Sequence, residues 1–207
     1  PLFHAGAYYV QEASSMFLEE ALKQTVDLAK PLKVLDLCAA PGGKSTLIQS
    51  IISAASLLVS NEVIKTRVHI LAENITKWGA ANVIVTNNDP SDFQRLPGYF
   101  DVIVVDAPCS GSGLFRKDPA AIEEWSENNV LHCEQRQQRI LEHVMPALKD
   151  GGILIYSTCS YSKEEDEAIA DWMVEQSAVG SLQLAVHDDW GIVETVSEKE
   201  KAYSYRF

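Results

Sequence analysis

Val34-Leu35-Asp36-Leu37-Cys38-Ala39-Ala40-Pro41-Gly42-Gly43-Lys44-Ser45-Thr46 decides the fold. An apolar run ends in an acid, turns through Pro-Gly-Gly and enters a helical pattern from Ser45 to Ile52. This pattern predicts a buried parallel strand, a tight turn and a helix N-terminus. The glycines let backbone approach a ligand where a Cβ would clash. The unpaired N–H groups of the first helical turn face that ligand. At the carboxyl end of a parallel sheet, such a unit binds nucleotide-like ligands; it is also compatible with an ordinary tight turn of an α/β domain. A phosphate-cradling loop would need glycine where Cys38 stands, and Gly-x-Gly-x-x-Gly is absent. The stretch therefore favours a nucleoside ligand without a polyphosphate.

Working outward, Glu12 to Leu28 carries apolar residues at helical spacing and predicts a helix against the sheet edge, ended by Lys30-Pro31. Leu57 to Glu62 reads as a second strand with an acid at its tip. Glu62 follows the glycine turn by the ~20 residues expected of a ribose-binding acid, or it caps the next helix. That helix, Lys65 to Gly79, is closed by its glycine. Val83 to Thr86 is a third strand, and Asp89 beyond it either accepts from an adenine amino group or forms an Asx turn before Pro90. Phe100 to Val105 is a β-branched central strand that runs into Asp106-Ala107-Pro108-Cys109-Ser110-Gly111-Ser112-Gly113. Helices are expected from Ala120 to Asn129, from Leu131 to Leu148 and from Lys163 to Val174, the last with acids in its first turn where the helix dipole favours them. Strands are expected from Ile153 to Thr158 and from Leu182 to His187. Alternating strands and helices predict a mostly parallel sheet covered on both faces.

The 207 residues suffice for one α/β domain with a substantial core, and 46% hydrophobic residues exclude a disordered chain. No apolar run approaches the ~20 residues of a membrane span, so no membrane partner is expected. Both ends, Pro1-Leu2-Phe3-His4 and Tyr203-Ser204-Tyr205-Arg206-Phe207, read as cuts through a longer protein. A net charge of −12 argues against a general polyanion-binding surface. If nucleic acid is the substrate, a local basic patch or another domain must supply the attraction. Arg116-Lys117 is the one basic spot, either phosphate-binding or two solvated loop charges. Cysteines at 38, 109, 133 and 159 match neither a zinc site nor a disulfide framework, so reduced thiols in a cytoplasmic protein and no metal are expected. Cys133 and Cys38 read as packing residues. Cys109 and Cys159 directly follow strand tips.

Three motifs carry a family likeness: Leu-Asp-Leu-Cys-Ala-Ala-Pro-Gly-Gly-Lys, Asp-Ala-Pro-Cys-Ser-Gly-Ser-Gly, and Ser-Thr-Cys-Ser-Tyr with Glu164 to Glu167 behind it. Together with Tyr9-Val10-Gln11-Glu12-Ala13-Ser14-Ser15-Met16, they resemble the Sun/RsmF-type RNA cytosine-5 methyltransferases from about Gly6 to Glu167. The resemblance implies a Rossmann-like class I methyltransferase domain over 31–207, preceded by a helical segment over 1–30, with S-adenosyl-L-methionine as cofactor and RNA as partner, ribosomal RNA first and transfer RNA second. It sets Cys38, Ala39, Ala40, Pro41, Gly42, Gly43 and Lys44 around the cofactor's methionine part. Glu62 then matches the ribose ligand, Asp89 the adenine-side acid and Asp106 the acid between cofactor and base. Cys159 matches the nucleophile and Cys109 the helper that releases product, with Lys44 or helix N-termini available to favour a thiolate. Three rivals are a DNA methyltransferase using Cys109 as nucleophile, a non-catalytic RNA-binding assembly factor, and a nucleotide hydrolase. The Thr-Cys-Ser element, the two thiols with Asp106, and Cys38 argue against them in turn.

Overall fold

The computed structural model describes residues 2–177 and 180–207. Its main sheet contains β1 (Lys33–Asp36), β2 (Leu57–Asn61), β3 (Val83–Thr86), β4 (Phe100–Asp106) and β5 (Leu148–Ser157), in the order β3-β2-β1-β4-β5. The helices are α1 (Phe17–Thr25), α2 (Gly43–Ile51), α3 (Lys65–Trp78), α4 (Ala120–Glu124), α5 (Glu127–Val144) and α6 (Glu167–Ser177). An antiparallel pair, β6 (Val193–Val196) and β7 (Tyr203–Arg206), forms a second sheet. The chain divides into two compact units. One is the chain up to Asp106 with His143–Tyr156; the other is Ala107–Glu142 with Ser157–Phe207.

In the first unit β1 pairs in parallel with β2 and β4, and β2 with β3, so the predicted parallel sheet is present. Val34 lies opposite Leu58 and Val102, and Leu35 opposite Val59 and Ile103. Successive side chains point to opposite faces. Both sets are buried, which is why these strands read as continuous apolar runs. Val34, Leu58, Val102 and Val104 pack against Leu18 and Leu22 of α1 and Leu47 and Ile48 of α2. Leu18 and Leu22 are one helical turn apart and share a face.

Here the structure corrects the expected first helix. It is shorter, a 3-10 turn at Ser14–Met16 followed by Phe17–Thr25, and it covers the face of the sheet rather than its edge. Val26 is extended, and the Asp27 carboxylate accepts from the Ala29 N–H in a local turn that competes with helix. α3 ends as expected at Gly79, whose φ is +80°.

The register is closed at the carboxyl ends by Asn61, which is fully buried. Its Nδ2 donates to the Leu37 carbonyl at 3.1 Å and to the Asn88 carbonyl at 3.0 Å. Its Oδ1 accepts from Thr86 Oγ1 at 2.8 Å and from the Asn88 N–H at 3.0 Å. One side chain thus ties together the segments that leave β1 and β3.

In the second unit two expectations are corrected. The helix boundary falls at Trp125-Ser126, not at Val130, because Ser126 Oγ accepts from the Asn129 N–H at 3.2 Å and starts α5 there. Residues 182–187 form no strand. The Tyr205 hydroxyl occupies both the N–H and the carbonyl of Leu184, and the strand pair lies further along as β6 and β7.

Replacing Leu22, 1% exposed, by alanine should lower unfolding free energy by about 2–5 kcal/mol. Denaturant unfolding followed by circular dichroism checks this. A loss below about 1 kcal/mol would show that α1 is not packed on the sheet.

Candidate active site

In the first unit the loop from Cys38 to Lys44 is held from three directions. Arg67 Nη2 donates to the Ala40 carbonyl at 2.6 Å, Asn74 Nδ2 to the Pro41 carbonyl at 2.8 Å, and Gln11 Nε2 to the Gly43 carbonyl at 2.8 Å. Arg67 and Asn74 stand seven residues apart on α3, about two turns, and so share one face. The Ala40–Pro41 peptide is cis, and Gly42 has φ +114°, a conformation that only glycine adopts at little cost. Ala39 and Ala40 are buried against Leu71 and Ile75 of α3. The loop is therefore a fixed backbone turn at the N-terminus of α2.

Acids line it. Asp36 is fully buried; its Oδ2 accepts from Ser45 Oγ at 2.6 Å, and Ser60 Oγ donates on to Ser45 at 2.8 Å. Its Oδ1 is buried without a hydrogen bond. Burial, opposed by the Ser45 bond and reinforced by Asp106, pushes the Asp36 carboxyl up to about 7. Glu62 is 2% exposed. Its Oε1 accepts from the Ile64 N–H at 2.9 Å, whereas its Oε2 lies 3.4 Å from Arg67 Nη1 without a hydrogen bond. Asp106 Oδ2 forms an ion pair with Lys44 Nζ at 2.7 Å. Burial and then the charges of Asp36, Glu62 and Asp106 push the Cys38 thiol up to about 12, so it stays protonated as a packing residue. Asp89 is exposed and caps the turn Pro90–Arg95: its Oδ1 accepts from the Ser91 N–H at 3.0 Å and from Ser91 Oγ at 2.6 Å. Those bonds hold its carboxyl below the usual range.

In the second unit Cys109 and Cys159 meet, their sulfurs 3.1 Å apart. Two loops bring them together. The Gly113 N–H donates to the Cys159 carbonyl at 2.7 Å, and a Cβ at 113 would fall 2.3 Å from that oxygen. Only glycine permits this approach. The Tyr161 N–H donates to Ser112 Oγ at 2.8 Å. Cys159 is exposed and Cys109 half-buried. The contact with Cys159, followed by burial, drives the Cys109 thiol strongly upward, so Cys109 keeps its proton. Arg116 and Lys117 are exposed on the turn after Leu114. Cys133 is buried in α5, as the sequence suggests. Of the acids after Cys159, Glu164 is exposed, Asp166 and Glu167 bind Arg206 of β7, and Glu165 is buried. As expected, acids stand in the first turns, Glu164 and Glu165 in the 3-10 turn Lys163–Glu165 and Glu167 in α6, and Glu165, Asp166 and Glu167 have specific partners besides.

The sequence model of the family described as 16S rRNA methyltransferase RsmB/F matches residues 23–203. The chain belongs to this family. It is 40% identical over 173 residues to the ribosomal RNA small subunit methyltransferase F of Pectobacterium atrosepticum, covering 83% of the chain and 35% of that protein. The chain thus spans about a third of the length of the curated relatives it matches. Among solved structures, NSun6 from Pyrococcus horikoshii with SFG superposes with a TM-score of 0.76 at 26% identity, over 99% of this chain and 53% of that one. A methyltransferase homologue from the same organism gives 0.76 at 33% identity, over 90% and 57%. The Rossmann-like methyltransferase fold is therefore present, as the motifs implied.

Within this RsmB/F-type domain, sequence reasoning did not reach Arg67, Asn74, Asn61 or Glu165. The first two had a usable signal in their seven-residue spacing on one helix. Among the described residues, no helix is long and apolar enough to cross a membrane, and no group of three or more His, Cys, Asp or Glu is arranged to hold a metal ion.

Asp36 gives a pH prediction. Its folded value, about 7, lies above the ordinary 3.8, so between these values the folded state holds a proton that the unfolded state has lost. Its contribution to stability therefore falls as pH rises from about 4 to about 7. Asp36→Asn should remove that part of the slope, read from unfolding curves at several pH values. An unchanged slope would contradict the burial argument.

Proposed function

We propose that this chain transfers a methyl group from S-adenosyl-L-methionine to carbon 5 of a cytosine in RNA, ribosomal RNA in particular, through a covalent adduct on Cys159. The observation that carries the reading is the approach of the Cys109 and Cys159 sulfurs to 3.1 Å at the ends of two loops. A structural pair of thiols would be buried; Cys159 is exposed.

The residues of the first unit fit the cofactor. Glu62 offers a buried Oε2 without a hydrogen bond, suited to ribose hydroxyls. The fixed glycine turn from Cys38 to Lys44 is the segment we assign to the methionine part, and Asp89 is the acid we assign to the adenine amino group. When bound, S-adenosyl-L-methionine supplies an electrophilic methyl on a sulfonium centre.

The protein's own groups must make carbon 5 nucleophilic. The Cys159 thiolate adds to carbon 6, opening the 5,6 double bond and moving electron density onto carbon 5. Asp106, oriented by Lys44, accepts from the cytosine amino group and holds the ring. Arg116 and Lys117 hold neighbouring phosphates. A free thiol is only a few per cent ionised at neutral pH. In the proposed reactive state the Cys109 S–H is the donor across the 3.1 Å contact and Cys159 carries the anion.

The order of steps follows from that contact. While Cys159 is a thiolate, Cys109 keeps its proton, because the chief cause of its raised value is Cys159 itself. Once Cys159 is a thioether its sulfur no longer holds the Cys109 proton by a hydrogen bond to an anion, and Cys109 can lose that proton to solvent and accept the proton of carbon 5. Departure of the Cys159 sulfur then restores the double bond.

RNA carrying 5-fluorocytosine blocks the proton loss and should trap the adduct. Cys159→Ala should form none, whereas Cys109→Ala should form it and fail to release product, as seen on denaturing gels. Adduct formation by Cys159→Ala would reverse the assignment. Glu62→Gln should weaken S-adenosyl-L-methionine binding by about tenfold or more in calorimetry, the range for a hydrogen bond to a charged group. Unchanged affinity would remove Glu62 from the ribose site.

A further inference from the structure

Cys109 and Cys159 are each followed by a serine, and both serines bind one carboxylate. Ser110 Oγ and Ser160 Oγ both donate to Glu165 Oε2, the second at 2.6 Å. Glu165 Oε1 accepts from the Ser110 N–H at 2.9 Å and from Gln137 Nε2 at 3.0 Å. The same Gln137 nitrogen donates to the Pro108 carbonyl at 3.0 Å. Ser160 Oγ also accepts from the Ser162 N–H at 3.1 Å. Glu165 and Gln137 are both fully buried. A buried carboxylate is costly unless its oxygens are satisfied, and here every named partner is a donor.

We propose that Glu165 is a positioning residue for the thiol pair: by accepting from Ser110 and Ser160 together, it fixes the distance between the two loops and so the separation of the Cys109 and Cys159 sulfurs. The serines stand one residue beyond each sulfur, so a shift at either is passed directly to its neighbour. Gln137, reached from α5, fixes the third side and keeps the carboxylate from rotating. An amide at 165 has almost the same shape but presents N–H groups to a ring of donors, so it breaks the clamp without opening a cavity.

This inference rests on the proposed use of the two thiols, and the test separates the two. The separation of the sulfurs is read without methyl transfer, as the rate at which diamide takes up the two thiol hydrogens and leaves a Cys109–Cys159 disulfide, mapped by mass spectrometry. Glu165→Gln should slow that disulfide at least tenfold while thermal stability and S-adenosyl-L-methionine affinity stay close to wild type. In the same variant, kcat on RNA should fall up to about 100-fold with little change in KM, the size expected of a misplacement near 1 Å. Glu165→Asp, which keeps an acceptor, should recover part of both. The double variant Ser110→Ala/Ser160→Ala should reproduce the slow disulfide if Glu165→Gln fails to fold. Wild-type disulfide rates in Glu165→Gln, or in the double variant, would overturn the proposal. A failure of the 5-fluorocytosine trap in wild type would strike the covalent mechanism and leave this test intact.

Discussion

Parallel pairing is the constraint on which the first unit depends. β1, β2 and β4 run the same way with Asp36 opposite Ser60 and Val104, and Asn61 opposite Thr86. Every chain segment that leaves these strands therefore emerges at the same edge. Acids placed one after another along the sequence become neighbours without any further design. Their mutual repulsion and burial are the physical result, visible in Asp36 and Cys38, whose protonated forms are favoured. Lys44 supplies the opposing charge at Asp106 and Arg67 supplies it near Glu62.

The thiol loops follow a different logic. The buried Glu165 carboxylate accepts hydrogen bonds from donors on three chain segments, Ser110, Gln137 and Ser160. Each donor bond is directional, so the arrangement fixes geometry as well as charge. Gly113 contributes by absence, since its missing side chain lets one loop rest on the carbonyl of Cys159. β7 adds a brace through Arg206, which binds Asp166 and Glu167 and donates to the Tyr161 carbonyl at 3.2 Å.

How much of this was legible depended on the kind of signal. β1, β2 and β4 announced themselves because strands buried on both faces are apolar throughout, and the acids at their ends broke that run; β3, at the sheet edge with Ile84 exposed, was legible from its β-branched residues instead. The two thiol loops were legible as motifs. Asn61 was not, because an asparagine at the end of an apolar run reads as the start of a loop, and nothing local tells that it is buried. Glu165 sits in the run Glu164-Glu165-Asp166-Glu167, where charge alone suggests a solvated helix start. Its burial follows from Ser110 and Gln137, distant in sequence. The misplaced sixth strand has the same origin, since the Tyr205 hydroxyl that captures Leu184 lies 21 residues away.

The four cysteines differ in access, and this bears on chemical targeting of the domain. Cys133 is buried, Cys38 holds its proton up to about 12, and Cys109 is half-buried and keeps its proton through the contact with Cys159. Cys159 is the one whose surface is open. An electrophilic fragment would meet that sulfur first, so selective covalent labelling could be achieved by shape alone, without any need for an unusually reactive warhead.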